Sequence, residues 1–160
     1  MDENEALLKA VEAASWSRCK RSQRGAVIWR RTGGSMLAEG CNSPLHGECD
    51  GSDACKIDCS KRCLHAEQSA LLDAQRWGKG VAGTEMLHTK VVDGKPVSSG
   101  EPSCWECSKL IATSNLVAMW LLVRNSNGDP VLRRYTPREF HELTLRNCGI
   151  FPYHKPLKDP

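Results

Sequence analysis

No apolar run in this sequence approaches the roughly 20 residues that a membrane-crossing helix needs. The longest such stretch, "LVAMWLLV" (Leu116–Val123), is of strand length. Aromatic residues are scarce at 6%, with only two Phe and two Tyr. They do not interleave with basic residues in the way a single-stranded nucleic acid groove requires. An excess of one charge is missing too: 22 basic against 19 acidic side chains leave a net charge of +3. Electrostatics therefore call for neither a membrane surface nor a nucleic acid partner. The opening "MDENEALLKAVEAA" is acidic and amphipathic, unlike a secretory leader, so the cytoplasm is the expected compartment. Internal repeats and low-complexity segments are absent.

Cysteine, by contrast, is abundant, with nine in 160 residues. In a reducing compartment such a count points to metal or catalysis before disulfides, and an odd number resists full pairing. The length suits one domain over residues 1–160.

Periodicity predicts a helix over 3–18, with Leu7, Leu8, Val11, Ala14 and Trp16 near helical spacing. "GAVIW" (Gly25–Trp29) reads as a buried strand, "RRTGG" as a hairpin turn and "SMLAEG" as the returning strand. Residues 41–63 show no periodicity and are expected to form an irregular loop that needs its own staple. A second helix is expected over His65–Trp77, stopping at "GKG", then a strand at "EMLHTKVV" and a small hairpin in "VVDGKPVSS". A helix over Cys104–Ser114 and a buried strand in "LVAMWLLV" come next. "TPREFHELTLRNCGI" opens with a Thr cap before Pro and closes at Gly149. The Pro-rich residues 152–160 read as an extended surface tail. Alternating strands and helices predict an α/β architecture with helices packed on a mixed sheet.

Two helix starts carry the chemistry: His65-Ala66-Glu67 and Cys104-Trp105-Glu106-Cys107. One imidazole and two thiolates make three zinc ligands, the number a catalytic site uses when it keeps a fourth position for water. Zinc brings that water's pKa towards neutrality, and Glu67, two residues from the ligand, is placed to carry protons. Helix N-termini favour the thiolates. Blander readings exist for each part. A lone CxxC is a zinc knuckle or redox pair, Glu67 a carboxylate facing the helix dipole, and Asn42 a turn residue. The two motifs together are more specific than either alone: H-x-E with C-x-x-C is the signature of zinc-dependent nucleobase deaminases.

With those motifs the chain resembles the cytidine and deoxycytidylate deaminase family, nearest to its bacterial and phage deoxycytidylate branch. "GAVIW" with "EGCNSP", "CLHAEQSALL", "EMLHT", "PSCWECSKLI" and "LRNCGI" carry the likeness over most of Arg18–Ile150. It implies a three-layer cytidine-deaminase-like fold, with a five-stranded mixed sheet between helices. It also implies hydrolytic removal of ammonia from a cytosine nucleotide, dCMP to dUMP. Glu67 would move the protons, Asn42 would bond the sugar hydroxyl, and Ala66 and Ser103 would line the base, the Ser103 carbonyl receiving the amino group. A closed homo-oligomer is implied as well, and the host's cytoplasm if a phage carries the gene.

Counting leaves Cys49, Cys55 and Cys59 in the 41–63 loop and Cys19 just before the first strand, with Cys55 and Cys59 spaced to share a helix face. In this branch a structural zinc takes residues ten and six before the motif histidine, which here are Cys55 and Cys59. The resemblance thus implies a second Zn²⁺ on Cys19, Cys49, Cys55 and Cys59, with Cys41, Cys63 and Cys148 left as buried thiols. Unligated cysteines are the alternative.

Departures from the family pattern cluster away from the zinc. Ser103 stands where Pro usually precedes the first motif cysteine, Cys41 replaces a tyrosine, Ser69 an asparagine and Arg24 an apolar residue. "VVDGKPVSSGE" is an insertion, and the glycine pair linked to nucleotide regulation is missing. A phosphate would need Lys20, Arg21, Arg24 or Arg76. The alternatives are a deaminase of another nucleoside, base or modified cytosine nucleotide, or a zinc-stapled interaction domain without activity.

Overall fold

The computed structural model describes residues 1–100 and 104–150. Its first helix, α1 (Glu3–Ala14), starts where the Asp2 carboxylate accepts the N–H groups of Asn4 and Glu5 at 2.9 Å and Glu5 answers to the Asp2 N–H. It is shorter than the periodicity suggests, and its buried face is alanine: Ala6, Ala10, Ala13 and Ala14. Leu8 and Trp16, expected in the apolar stripe, are 70% and 61% exposed. The reason is close packing. A Cβ on Gly25 of the strand beneath would run into the Ala10 carbonyl oxygen, so only methyl-sized side chains fit between helix and sheet.

The chain continues through β1 (Gln23–Trp29), β2 (Met36–Cys41), β3 (Ser43–Pro44), α2 (Asp53–Arg62), β4 (Cys63–Leu64) and α3 (Ala66–Arg76). Then come β5 (Glu85–Val92), β6 (Lys95–Val97), α4 (Trp105–Thr113), β7 (Ala118–Arg124), β8 (Pro130–Tyr135) and α5 (Pro137–Asn147). The main sheet runs β2-β1-β5-β7-β8. Among the described residues only β5 and β7 pair in parallel, and β6 pairs with the end of β5 that β7 does not reach. The expected α/β fold with helices on both faces of a mixed sheet is what the chain adopts: among the described residues the main path has the five expected strands, and β6 adds to the end of β5.

Strand alternation sorts the core into two layers. Val27, Trp29, Leu87, Ala118 and Trp120 face α1. Ala26, Ile28, Met86, Met119 and Leu121 face α3 with Ala66, Ala70 and Ala74, and also Ile111 of α4 and Phe140 of α5. Gly40 lets β2 lie against α3, since a Cβ there would strike the Ala70 backbone nitrogen. The helix starts bearing the motifs therefore sit on the second face.

Two segments depart from the expectation. Residues 41–63 are not irregular throughout: Ser52 caps α2 through Cys55 N–H at 3.1 Å, and β3 pairs with β4. Alpha-helical periodicity is invisible there because α2 buries no apolar stripe. The second is β8, whose "PVLRRY" hides its alternation behind two arginines. It is an edge strand opening with Pro, the composition that blunts an edge. The tail 152–160 and Ser103 lie outside the described residues.

Candidate metal centre and active site

His65 is the N-cap of α3, its backbone N–H donating to Gln68 Oε1 at 3.0 Å. Cys104 is the N-cap of α4, and its Sγ accepts the Cys107 N–H at 3.4 Å. The two caps meet: His65 Nδ1 lies 3.0 Å from Cys104 Sγ and 3.2 Å from Cys107 Sγ. Ordinary Zn–N and Zn–S bond lengths place donor atoms of a tetrahedral site about 3.5 Å apart. One imidazole and two thiols at these separations fit zinc. Among the described residues this is the one group in which three such donor atoms all lie within 4.8 Å of one another.

The electrostatics match a site built for a cation. Cys104 is pulled down to about 5, first by its hydrogen bond with Cys107 and then by His65. Cys107 is pushed up, chiefly by the same bond, as two adjacent thiols cannot both shed protons without a cation. His65 is raised, mainly by Cys104.

Glu67, on the first turn of α3, is only 7% exposed. Burial raises its pKa, but His88, its own backbone N–H, His65 and Arg24 outweigh that and hold it below the usual carboxylate range. His88, on β5, is 4% exposed, and its Nε2 lies 4.0 Å from Glu67 Oε1. Burial keeps it below the ordinary histidine value. Nothing in the sequence motif singles out His88; its place beside Glu67 comes from the pairing of β5 with β1.

His65, Glu67, His88 and Cys104 line one cavity of about 270 Å³. Its polar wall includes Arg21, Arg24 and Lys56, together with Ser22 and Ser99. The hydroxyls of Ser22 and Ser99 are buried, with no hydrogen-bond partner among the described residues. Of the basic residues proposed for phosphate, Arg21 and Arg24 reach this cavity; Lys20 and Arg76 do not, and Lys56 was missed by sequence reasoning. Arg21 is already engaged, donating to the Gly51 and Ser52 carbonyls at 3.2 and 2.8 Å. Arg24 is half-buried and has no ion-pair partner among the described residues.

Asn42 also borders the cavity, and much of its hydrogen bonding is internal. Its Oδ1 accepts from Ser17 Oγ and from Arg24 N–H, each at 2.8 Å, and its Nδ2 donates to the Ser22 carbonyl at 2.8 Å. Ala66 opens α3, fully buried.

The second cysteine group is looser. Cys49 Sγ is 3.5 Å from Cys55 Sγ and accepts the Lys20 N–H at 3.4 Å, and the Cys19 thiol also bonds Cys49. Cys63, expected to be a buried bystander, is half-buried and joins the group. It is pushed up to about 12, first by burial and then by a hydrogen bond with Cys59, with Cys19 and Cys55 nearby. Cys41 is likewise half-buried and Cys148 exposed, because each lies where its element leaves the core. Trp120 is buried as expected, its Nε1 donating to Glu85 at 2.9 Å. Trp105 is 49% exposed under Lys109, since the first turn of α4 turns Cys107 rather than Trp105 inward. His141 bonds Ser108 at 2.8 Å and so ties α5 to α4.

A three-layer α/β fold with paired helix starts presenting His, Cys and Cys defines a zinc-dependent deaminase, a hydrolase class. The chain belongs to the cytidine and deoxycytidylate deaminase family, whose zinc-binding region matches residues 1–122. Among solved structures it is similar to the dCMP deaminase of cyanophage S-TIM5 in apo form, with 28% identity over 80% of this chain and 89% of that one, and a TM-score of 0.54. The same phage enzyme in complex with dCMP and dUMP matches at 29% identity over 74% and 81%, TM-score 0.54. The cytidine deaminase of Burkholderia pseudomallei shares the fold at 16% identity, over 88% and 96%, TM-score 0.60. No curated protein matches the chain. No helix among the described residues is long and apolar enough to cross a membrane.

Proposed function

We propose that the chain, acting as one domain, hydrolyses dCMP to dUMP and ammonia, with His65, Cys104 and Cys107 holding the catalytic zinc. The observation that carries this is Glu67, a carboxylate buried in the cavity that His65 and Cys104 also line, beside the three converging donors. Zinc there supplies the Lewis acidity that makes a water nucleophilic near neutral pH. Glu67 would accept one proton of that water on a carboxylate oxygen and deliver it to the ring nitrogen, where it stays. It would then carry the remaining hydroxyl proton to the amine, which leaves as ammonia while the C–N bond breaks and the carbonyl forms. Ala66 frames the base and Asn42 borders the sugar, and the family resemblance assigns the Ser103 carbonyl to the amino group.

The monophosphate is supported by the half-buried Arg24, with Lys56 lining the same cavity and the buried hydroxyls of Ser22 and Ser99 as further donors. The likeness to a phage enzyme seen with dCMP and dUMP points the same way. Cys19, Cys49, Cys55 and Cys59 are the ligand set for a second, structural zinc, which would staple residues 41–63. A homo-oligomer in the cytoplasm completes the reading, and gel filtration checks the former.

Ammonia release measured with dCMP, deoxycytidine, guanine and 5-modified dCMP tests the substrate. A preference for dCMP is expected. Equal rates with deoxycytidine would remove the nucleotide from the reading, a preference for another base or a modified cytosine would replace the substrate, and no release with any of them would favour an interaction domain.

A further inference from the structure

One buried titratable side chain beside the reacting centre neither ligates the metal nor carries the reaction's protons. It belongs to His88, in the middle of β5, paired with Ala26 on β1 and with Leu121 on β7. Ala26 and Leu121 lie on the core face that packs on α3, so strand parity sends the imidazole towards the first turn of that helix. There it meets Glu67, Nε2 to Oε1 at 4.0 Å, and both side chains border the cavity shared with His65 and Cys104.

A histidine in a sheet core among Ala26, Met86 and Leu121 is costly to bury unless its polar atoms are used. Filling this position with an aliphatic residue would pack as well and leave the carboxylate unsupported on that side. The separation is slightly beyond a hydrogen bond, as such contacts often are before substrate closes the site. Burial favours the neutral ring, which can donate from one nitrogen only.

We propose that His88 is a positioning residue for Glu67: its Nε2–H engages Oε1 and leaves Oε2 as the oxygen that exchanges protons. The proposal rests on the proton-carrying role of Glu67. It assigns no contact between His88 and the metal or the substrate. The gain is preorganisation, since a carboxylate held in one rotamer need not be reoriented during turnover.

Steady-state kinetics on the zinc-loaded full chain test it, with His88→Leu removing the donor and His88→Gln restoring one near the Nε2 position. His88→Leu is expected to lower kcat about 10- to 100-fold, with KM within about threefold and unchanged zinc per chain. His88→Gln recovers at least half of the loss on a logarithmic scale, and in a Glu67→Gln background His88→Leu changes residual turnover less than twofold. A kcat within twofold of wild type, a loss confined to KM, a loss that follows zinc content, or equal effects of Leu and Gln each overturn it. Should His88→Leu not fold, ¹⁵N-histidine NMR of the wild-type zinc enzyme decides: a proton on Nε2 is expected, and a proton on Nδ1 alone overturns the proposal. Full activity in Glu67→Gln alone would instead remove the proposed role of Glu67, a separate failure.

Discussion

His65 and Cys104, 39 residues apart in the chain, stand 3.0 Å apart as the N-caps of two different helices. Each cap holds its donor atom at the positive end of a helix, where a thiolate is favoured and the local backbone is fixed by hydrogen bonds. Two rigid helix ends converge on one point, which is the arrangement a metal needs if it is to be bound without reorganisation.

Removing either thiol should therefore remove the metal. Cys104→Ala or Cys107→Ala is expected to lower zinc by one per chain with loss of ammonia release. Treating the wild type with a chelator should abolish activity, and adding Zn²⁺ back should restore it. Atomic absorption alongside the assay checks both, and an active protein without zinc would exclude this centre.

Glu67→Gln keeps shape and volume while removing the base. Turnover should fall by at least about 10²- to 10⁴-fold, the usual share of general acid–base catalysis. Zinc content and thermal midpoint should stay near wild type, which separates a lost proton carrier from a lost fold.

The cysteine group makes a stoichiometric prediction. Metal analysis should find two zinc ions per chain, falling to one in Cys19→Ala or Cys55→Ala with a lowered thermal midpoint, because a structural zinc contributes folding energy directly. Cys63→Ala should leave two. A drop to one in that variant would put Cys63, which bonds Cys59, into the ligand set in place of one of the four.

Arg24→Ala tests the phosphate. A hydrogen bond to a charged group contributes about 1.5–3 kcal/mol, so KM for dCMP should rise by roughly 10- to 150-fold while deoxycytidine turnover changes little. Equal effects on both substrates would place Arg24 at the base or in the scaffold, not at the phosphate.

Gly25→Ala should destabilise by about 1–3 kcal/mol or more, the scale of an overpacked core. The added methyl meets the Ala10 carbonyl, a backbone atom that cannot rotate away. Denaturant unfolding reads the loss as a lower midpoint at unchanged slope.

Much of the scaffold could be read from residue order. Thr136 and Pro137 announce α5, and the structure puts them at N-cap and first turn. "GAVIW" announces β1, whose last five residues are all buried. The failures share a cause. β8 and α2 carry too few apolar residues for a period to show, and the buried side of α1 is alanine, so the larger Leu8 and Trp16 misled the pattern. Where packing is by methyl groups or by an edge, hydrophobic periodicity has little to report.

The sequence by itself determined the class of chemistry. A histidine, an acid and two cysteines at fixed spacings on helix starts define a metal site, because ligand identity and local helix geometry are both encoded within a few residues. The tertiary structure decided what surrounds that site: His88 against Glu67, Arg24, Ser22 and Ser99 lining one cavity, and Cys63 beside Cys59. These neighbours depend on which strands pair, in what register, and which face each residue takes. A shift of one position along β5 would send His88 to the α1 side, and no local pattern of residues records that choice.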